Sequence, residues 1–165
     1  MTRTTFRHWE TDLMLGGSRG KEALLAIAER KSRFPCLRKV KDKKSSSIME
    51  ALRAIQEEFG GSFEELFETI TTDNGREFSR LSELEEDCNL RIYYAHPYCP
   101  SDKGMIENMN RIIRRFIPKG KRLEDCTEHE IIAIQQWLRD LPRKKLGYHT
   151  AQECFLNECR KASFC

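Results

Sequence analysis

Three acidic residues fall where a fold could bring them together: Asp12, Asp73 and Glu107. Asp12 lies in residues 8–15, where Trp9, Thr11, Leu13 and Leu15 alternate with Glu10, Asp12 and Met14. That is the period of a strand. Asp73 opens Asp73-Asn74-Gly75, a turn signal that ends the strand-like residues 66–72. Strand ends beside turns are where open α/β sheets place reactive groups. Glu107 stands one turn into an amphipathic stretch, residues 103–117. Carboxylates that converge repel one another, so such a cluster requires a cation, and hard oxygen ligands select Mg²⁺ or Mn²⁺. Glu10, two residues before Asp12, faces the same side of the strand and is a rival ligand.

The surroundings of Glu107 suit a phosphodiester. Glu107, Arg111 and Arg114 are spaced by four and three residues and share one helical stripe. A metal-binding Glu beside two guanidiniums would put the metal on the scissile phosphate and Arg on flanking ones. The competing reading is a solvated Glu–Arg pair on a helix surface. Charge is also unevenly spread. Residues 19–44 hold ten Lys/Arg against three Asp/Glu, and residues 103–122 hold seven against one. Residues 50–90 reverse this, with three against twelve. Two basic segments flanking an acidic one suggest a polyanion-binding face, although such runs are also what solvated surfaces look like.

The elements that must position these residues read as follows. Residues 8–15, 23–28 and 34–40 are strands, with Gly16 and Gly17 ending the first and a hairpin turn at residues 29–33. A helix follows from the Ser47–Glu50 capping-box spacing through Phe59, stopped by Gly60 and Gly61. Residues 66–72 are a strand, 77–88 a helix and 90–95 a strand, and Pro97 and Pro100 bracket a loop. The helix at 103–117 presents Met105, Ile106, Met109, Ile112, Ile113, Phe116 and Ile117 as one apolar stripe expected to pack on the sheet. Helices at 127–138, with Thr127 and Glu130 spaced as a capping box, and at 150–159 complete the chain. A hairpin meander followed by strand–helix alternation makes an α/β domain: a mixed sheet with helices packed on it.

At 165 residues the chain fits one domain, residues 1–165, able to bury a core. No apolar run reaches membrane-span length and residues 1–10 lack a signal-peptide core, so a cytoplasmic protein without membrane partners is expected. Seven cysteines, none spaced C-x-x-C, argue for reduced thiols rather than a disulfide framework. His96 and Cys99 are the nearest approach to a zinc pair, and a poor one.

Trp9-Glu10-Thr11-Asp12-Leu13 resembles the W-E-x-D-L opening of the insertion-sequence-thirty family of bacterial transposases. Residues 29–34, Glu-Arg-Lys-Ser-Arg-Phe, are similar to the family's E/D-R-K-S-R-[FY] segment. Residues 71–78, Thr-Thr-Asp-Asn-Gly-Arg-Glu-Phe, are similar to its T-x-D-N-G-x-E-F motif. Ala95-His96-Pro97-Tyr98-Cys99-Pro100, then Gly104 and Glu107-Asn108-x-Asn110, resemble A-D-P-Y-x-P…R-G…E-N-x-N. Residues 116–120 and 142–148 look like its downstream signatures, and thirty-three residues separate Asp73 from Glu107, the spacing expected in this family. His96 stands where the family often has Asp, and Lys103 where it has Arg.

The resemblance implies a retroviral-integrase-like core. That is a ribonuclease-H-like mixed five-stranded sheet, an antiparallel meander then parallel strands, with helices on both faces. Asp12, Asp73 and Glu107 would hold two Mg²⁺ or Mn²⁺ ions, the aspartates sharing one and Glu107 helping with the second. Lys103, Asn108, Asn110, Arg111, Arg114 and Arg115 become candidate DNA contacts. The expected activity is DNA cleavage and strand transfer on transposon ends and target DNA by a homodimer. The alternatives are a catalytically silent DNA-binding or self-associating remnant, or a nuclease of the same fold. The helix-turn-helix that precedes the core in such transposases has no counterpart before Thr5, so little sequence specificity is expected.

Overall fold

The computed structural model describes residues 5–17, 19–96 and 103–162. Five strands form one sheet: β1 (His8–Leu15), β2 (Ala23–Glu29), β3 (Pro35–Val40), β4 (Thr69–Thr72) and β5 (Arg91–Tyr94). Their order is β3-β2-β1-β4-β5. β1, β2 and β3 pair antiparallel, and β4 and β5 join in parallel to β1 and to each other. The helices are α1 (Ser45–Phe59), α2 (Phe63–Leu66), α3 (Ser82–Asp87), α4 (Gly104–Ile113), α5 (Glu128–Asp140) and α6 (Ala151–Ala162).

Alternation along the strands divides the core in two. Trp9, Leu25, Ile27, Cys36 and Ile70 face one way and pack with Ile48, Leu52 and Ile55 of α1 and Leu84 of α3. Met14, Leu24, Ala26, Ala28 and Leu37 face the other and pack with Met105, Ile106, Met109 and Ile113 of α4 and Ile131, Ile134 and Leu138 of α5. β2 is therefore buried at all seven positions, as expected of a strand covered on both faces. Trp9 anchors the first layer: it stacks on Phe67 with ring centroids 4.0 Å apart and its Nε1 donates to the Leu66 carbonyl at 2.8 Å.

The strands match their sequence-derived extents to within about three residues, but several ends differ for local reasons. α1 begins before Ser47: Asp42 Oδ1 accepts from both Lys44 N (2.9 Å) and Ser47 Oγ (2.6 Å), so Asp42 rather than a Ser47–Glu50 box organises that end. The expected helix at 77–88 is a 3-10 turn followed by the short α3. The Thr127–Glu130 capping box is present as expected. The loop around Pro97 and Pro100 lies outside the described residues.

The helix expected at 103–117 closes early. Past Ile113 the chain tightens, with Arg115 N donating to Ile112 O and Phe116 N to Ile113 O. This turn rolls Phe116 out of the apolar stripe. Ile113 and Ile117 stay buried, whereas Phe116 is 39% exposed and meets Trp137 edge-on at 4.9 Å. Phe116 therefore does not pack on the sheet, contrary to expectation. Ile113→Ala is expected to cost about 2–5 kcal/mol and Phe116→Ala no more than about 1 kcal/mol in denaturant unfolding. Equal losses would place Phe116 in the core alongside Ile113.

Candidate active site

The parallel pairing of β1 with β4 sets the site. Glu10 lies opposite Thr71, so Asp12 on β1 and Asp73 just past the end of β4, each two residues further on, emerge side by side. Both are partly exposed at the lip of the α4 face. Asp73 is fixed by its own turn, Oδ1 accepting from Gly75 N at 2.9 Å, an Asx turn.

A cation joins the two aspartates, and it comes from the chain itself. Lys103 Nζ donates to Asp12 Oδ1 at 2.8 Å and to Asp73 Oδ2 at 3.1 Å. Asn110 Nδ2 donates to the remaining Asp12 oxygen at 2.7 Å. Each of the four carboxylate oxygens thus has one donor. Lys103 is buried, at 7% exposure. Burial works against its ammonium, but Asp12 and Asp73 outweigh that cost and raise its pKa above the usual lysine value. Lys103 and Asn110, read from sequence as DNA contacts, are thus engaged inside the protein. Lys103 from the N-cap of α4 and Asn110 from two turns further along it reach toward β1, and the acid pair is what they meet.

Glu107 is not gathered with the pair. It is exposed, and among the described residues no three His, Cys, Asp or Glu side chains cluster closely enough to hold an ion. Nor is it a surface ion-pair partner of Arg111, since no such pair forms among the described residues. Asn108 and Arg111 on α4 and Arg115 just past its end are exposed. Arg114 is half-buried, with Nη2 donating to the Leu15 carbonyl at 2.8 Å, so it secures the end of α4 to the end of β1.

Glu10, the rival ligand, has a different task. It is fully buried, and its Oε1 pairs with Arg30 Nε at 3.0 Å. Its Oε2 accepts from Ile106 N at 2.9 Å. Ile106 lies in the first turn of α4, where backbone N–H groups lack intrahelical partners and the helix dipole favours an anion. Lys103 at the N-cap gives no side-chain cap of its own, so Glu10 serves from the neighbouring strand. The same-face spacing of Glu10 and Asp12 was legible in the sequence, whereas Arg30 as the partner that neutralises Glu10 was not.

The donor set suits a hard divalent ion. It consists of carboxylate oxygens only, on adjacent strands, and the buried Lys103 ammonium shows that the position already attracts a cation. Asp12 and Asp73 would hold such an ion.

Residues 3–100 match the family described as integrase core domain. The transposase InsI for insertion sequence element IS30C of Escherichia coli strain K12 is 32% identical over 151 residues, covering 92% of this chain and 38% of the relative. The chain spans about two fifths of the length of the curated relatives it matches. The catalytic core domain of BIV integrase superposes with a TM-score of 0.71 at 15% identity, covering 96% of this chain and 99% of that one. The HTLV-2 integrase catalytic core domain, solved in complex with magnesium, gives 0.67 at 18% identity, covering 90% and 95%. At such identities the likeness carries the fold, the ribonuclease-H-like sheet of integrase cores.

Glu10→Gln would leave Arg30 buried without its counter-charge. A loss of about 3–5 kcal/mol is expected in chemical denaturation. An unfolding curve that does not move would refute the anchoring role.

Proposed function

The chain belongs to the integrase core domain family, and from that premise we propose that it is the catalytic core of a DNA transposase, cleaving and joining DNA strands. The observation that carries this reading is the cation seat between Asp12 and Asp73 on adjacent parallel strands. Asp12 and Asp73 are the ligands of a divalent ion, Mg²⁺ or Mn²⁺, and Glu107 is the third acid, serving a second ion from α4. When bound, such ions supply Lewis-acid polarisation of a phosphodiester and lower the pKa of an attacking oxygen.

The chain's own residues prepare the reaction. Asn110 turns one oxygen of Asp12 inward and leaves the other toward Asp73. The Asx turn does the same for Asp73. Asn108 and Arg111 are exposed on α4 close to Glu107, Arg115 is exposed just past the helix, and all three are suited to phosphate oxygens. Lys103 yields the seat when an ion takes it. DNA at the transposon end and at the target is the substrate, and active assemblies contain more than one copy of the chain.

The test uses a duplex with a free recessed 3′-hydroxyl, target plasmid and Mn²⁺, scored for joined product. Joining by the wild type is expected. At saturating DNA, Asp73→Asn and Glu107→Gln should each reduce joining by several orders of magnitude, without weaker DNA binding. Cleavage without joining would reduce the protein to a nuclease. Undiminished joining by Glu107→Gln would remove Glu107 from the reaction.

A further inference from the structure

The two basic segments of the sequence, residues 19–44 and 103–122, meet at one end of the sheet. There the loop after β1 lies against the chain that follows α4. Gly17 N donates to Lys121 O at 3.0 Å, and a Cβ at Gly17 would stand 2.7 Å from Gly120 O and 3.7 Å from Arg122 Cγ. A Cβ at Gly16 would stand 3.0 Å from Leu123 N. The two backbones are therefore docked with no side chain between them. Arg19 and Lys21 of the loop and Lys119 and Arg122 of the facing segment are exposed around this junction.

The nearby carboxylates are engaged elsewhere. Glu124 Oε1 accepts from Lys21 N at 2.7 Å and from Glu22 N at 3.3 Å, so this acid fixes the backbone of the loop. Glu22 pairs with Lys39 of β3 at 2.7 Å. Arg122 Nε comes no closer than 3.8 Å to the second Glu124 oxygen, and Lys121 comes no closer than 3.8 Å to Glu130. Arg19, Lys21 and Lys119 make no ion pair among the described residues. With Glu22 matched by Lys39, the five cations of residues 16–22 and 119–125 stand against Glu124 and the exposed Asp125 alone. Cations that backbone contacts hold near one another repel, and a polyanion laid across them relieves that repulsion.

The junction is also placed to serve the acid pair. Gly17 follows Asp12 by five residues, about 17 Å of extended chain, a length that corresponds to about five base pairs of duplex. Arg114 ties the carbonyl of Leu15, the last residue of β1, to the end of α4 at 2.8 Å. The junction is thereby held in a fixed relation to the strand that carries Asp12.

We propose that Arg19, Lys21, Lys119 and Arg122 form a phosphate-binding platform that holds duplex DNA to one side of the reacting phosphodiester. The inference rests on the reading of the chain as a DNA-acting core. Two guanidinium forks and two ammonium point charges suit phosphate oxygens. Contacts to phosphates position DNA without reading its sequence, so the platform is indifferent to base identity. Residues 16–22 and 119–125 carry no aromatic side chain on which unpaired bases could stack, which favours a double strand as the occupant.

Binding of the 165-residue chain to a random-sequence DNA duplex, measured across a range of salt, tests this. Arg19→Ala with Lys119→Ala, and Lys21→Ala with Arg122→Ala, each take one cation from each segment. All four side chains are exposed, so both double variants should melt within about 2 °C of wild type. Each should bind DNA about tenfold more weakly, with the slope of log K against log salt shallower by about two. Arg91→Ala with Arg160→Ala removes the same net charge from exposed positions on β5 and α6. That variant should change affinity less than about twofold and leave the slope as it was. Wild-type affinity and slope in both platform variants, or an equal loss when Arg91 and Arg160 are replaced, would overturn the platform while leaving the DNA-acting core intact. A wild-type chain that binds no DNA would overturn both.

Discussion

Everything around the site follows from the need to neutralise two aspartates side by side. Like charges about 4 Å apart repel by roughly 4 kcal/mol at a protein surface. The β1–β4 pairing brings Asp12 of β1 beside Asp73, the residue just past β4, and neither strand can slip by one residue without exchanging the side chains of the two core layers. The repulsion is therefore built in by the sheet. Lys103 relieves it with a buried ammonium that contacts both carboxylates, and Asn110 satisfies the oxygen that Lys103 does not reach. Both donors belong to one helix, Lys103 at its N-cap and Asn110 two turns further on, so the acids are only as well placed as α4 is.

α4 is correspondingly well secured. Its first turn is held by Glu10, its apolar stripe by Met105, Ile106, Met109 and Ile113 against β1 and β2, and its last turn by Arg114 on Leu15 O. Beyond the helix, Gly17 N donates to Lys121 O at 3.0 Å, and a side chain at Gly17 would meet Gly120 O at 2.7 Å. Only glycine permits that approach, so the pair of glycines ending β1 also lets the segment after α4 dock there. Buried charges, close backbone contact and apolar packing converge on the one helix that faces the acids.

Much of this was legible in the sequence. The period-two pattern of residues 8–15 located β1, the Asp-Asn-Gly turn located the end of β4, and the hairpin-then-alternation order matches the mixed sheet with helices on both faces. What periodicity could not supply was the pairing of charges across elements. Glu10 reads as a second ligand until Arg30, twenty residues on, is seen to claim it. Lys103 reads as a solvent-facing cation because sequence does not record that an N-cap side chain folds back over the strand. Phe116 fits the apolar stripe on paper, and a few tightened hydrogen bonds after Ile113 carry it out to Trp137.

The account stands on Asp12 and Asp73 forming a cation seat for which Lys103 competes. Calorimetric titration of Mn²⁺ into metal-free wild type, Lys103→Ala and Asp73→Asn, with melting followed in parallel, tests this directly. Lys103→Ala should melt below wild type in chelator, bind Mn²⁺ more tightly than wild type and regain stability as the ion is added, while Asp73→Asn should bind little. An unchanged Mn²⁺ affinity in Lys103→Ala, or undiminished binding in Asp73→Asn, would contradict the account.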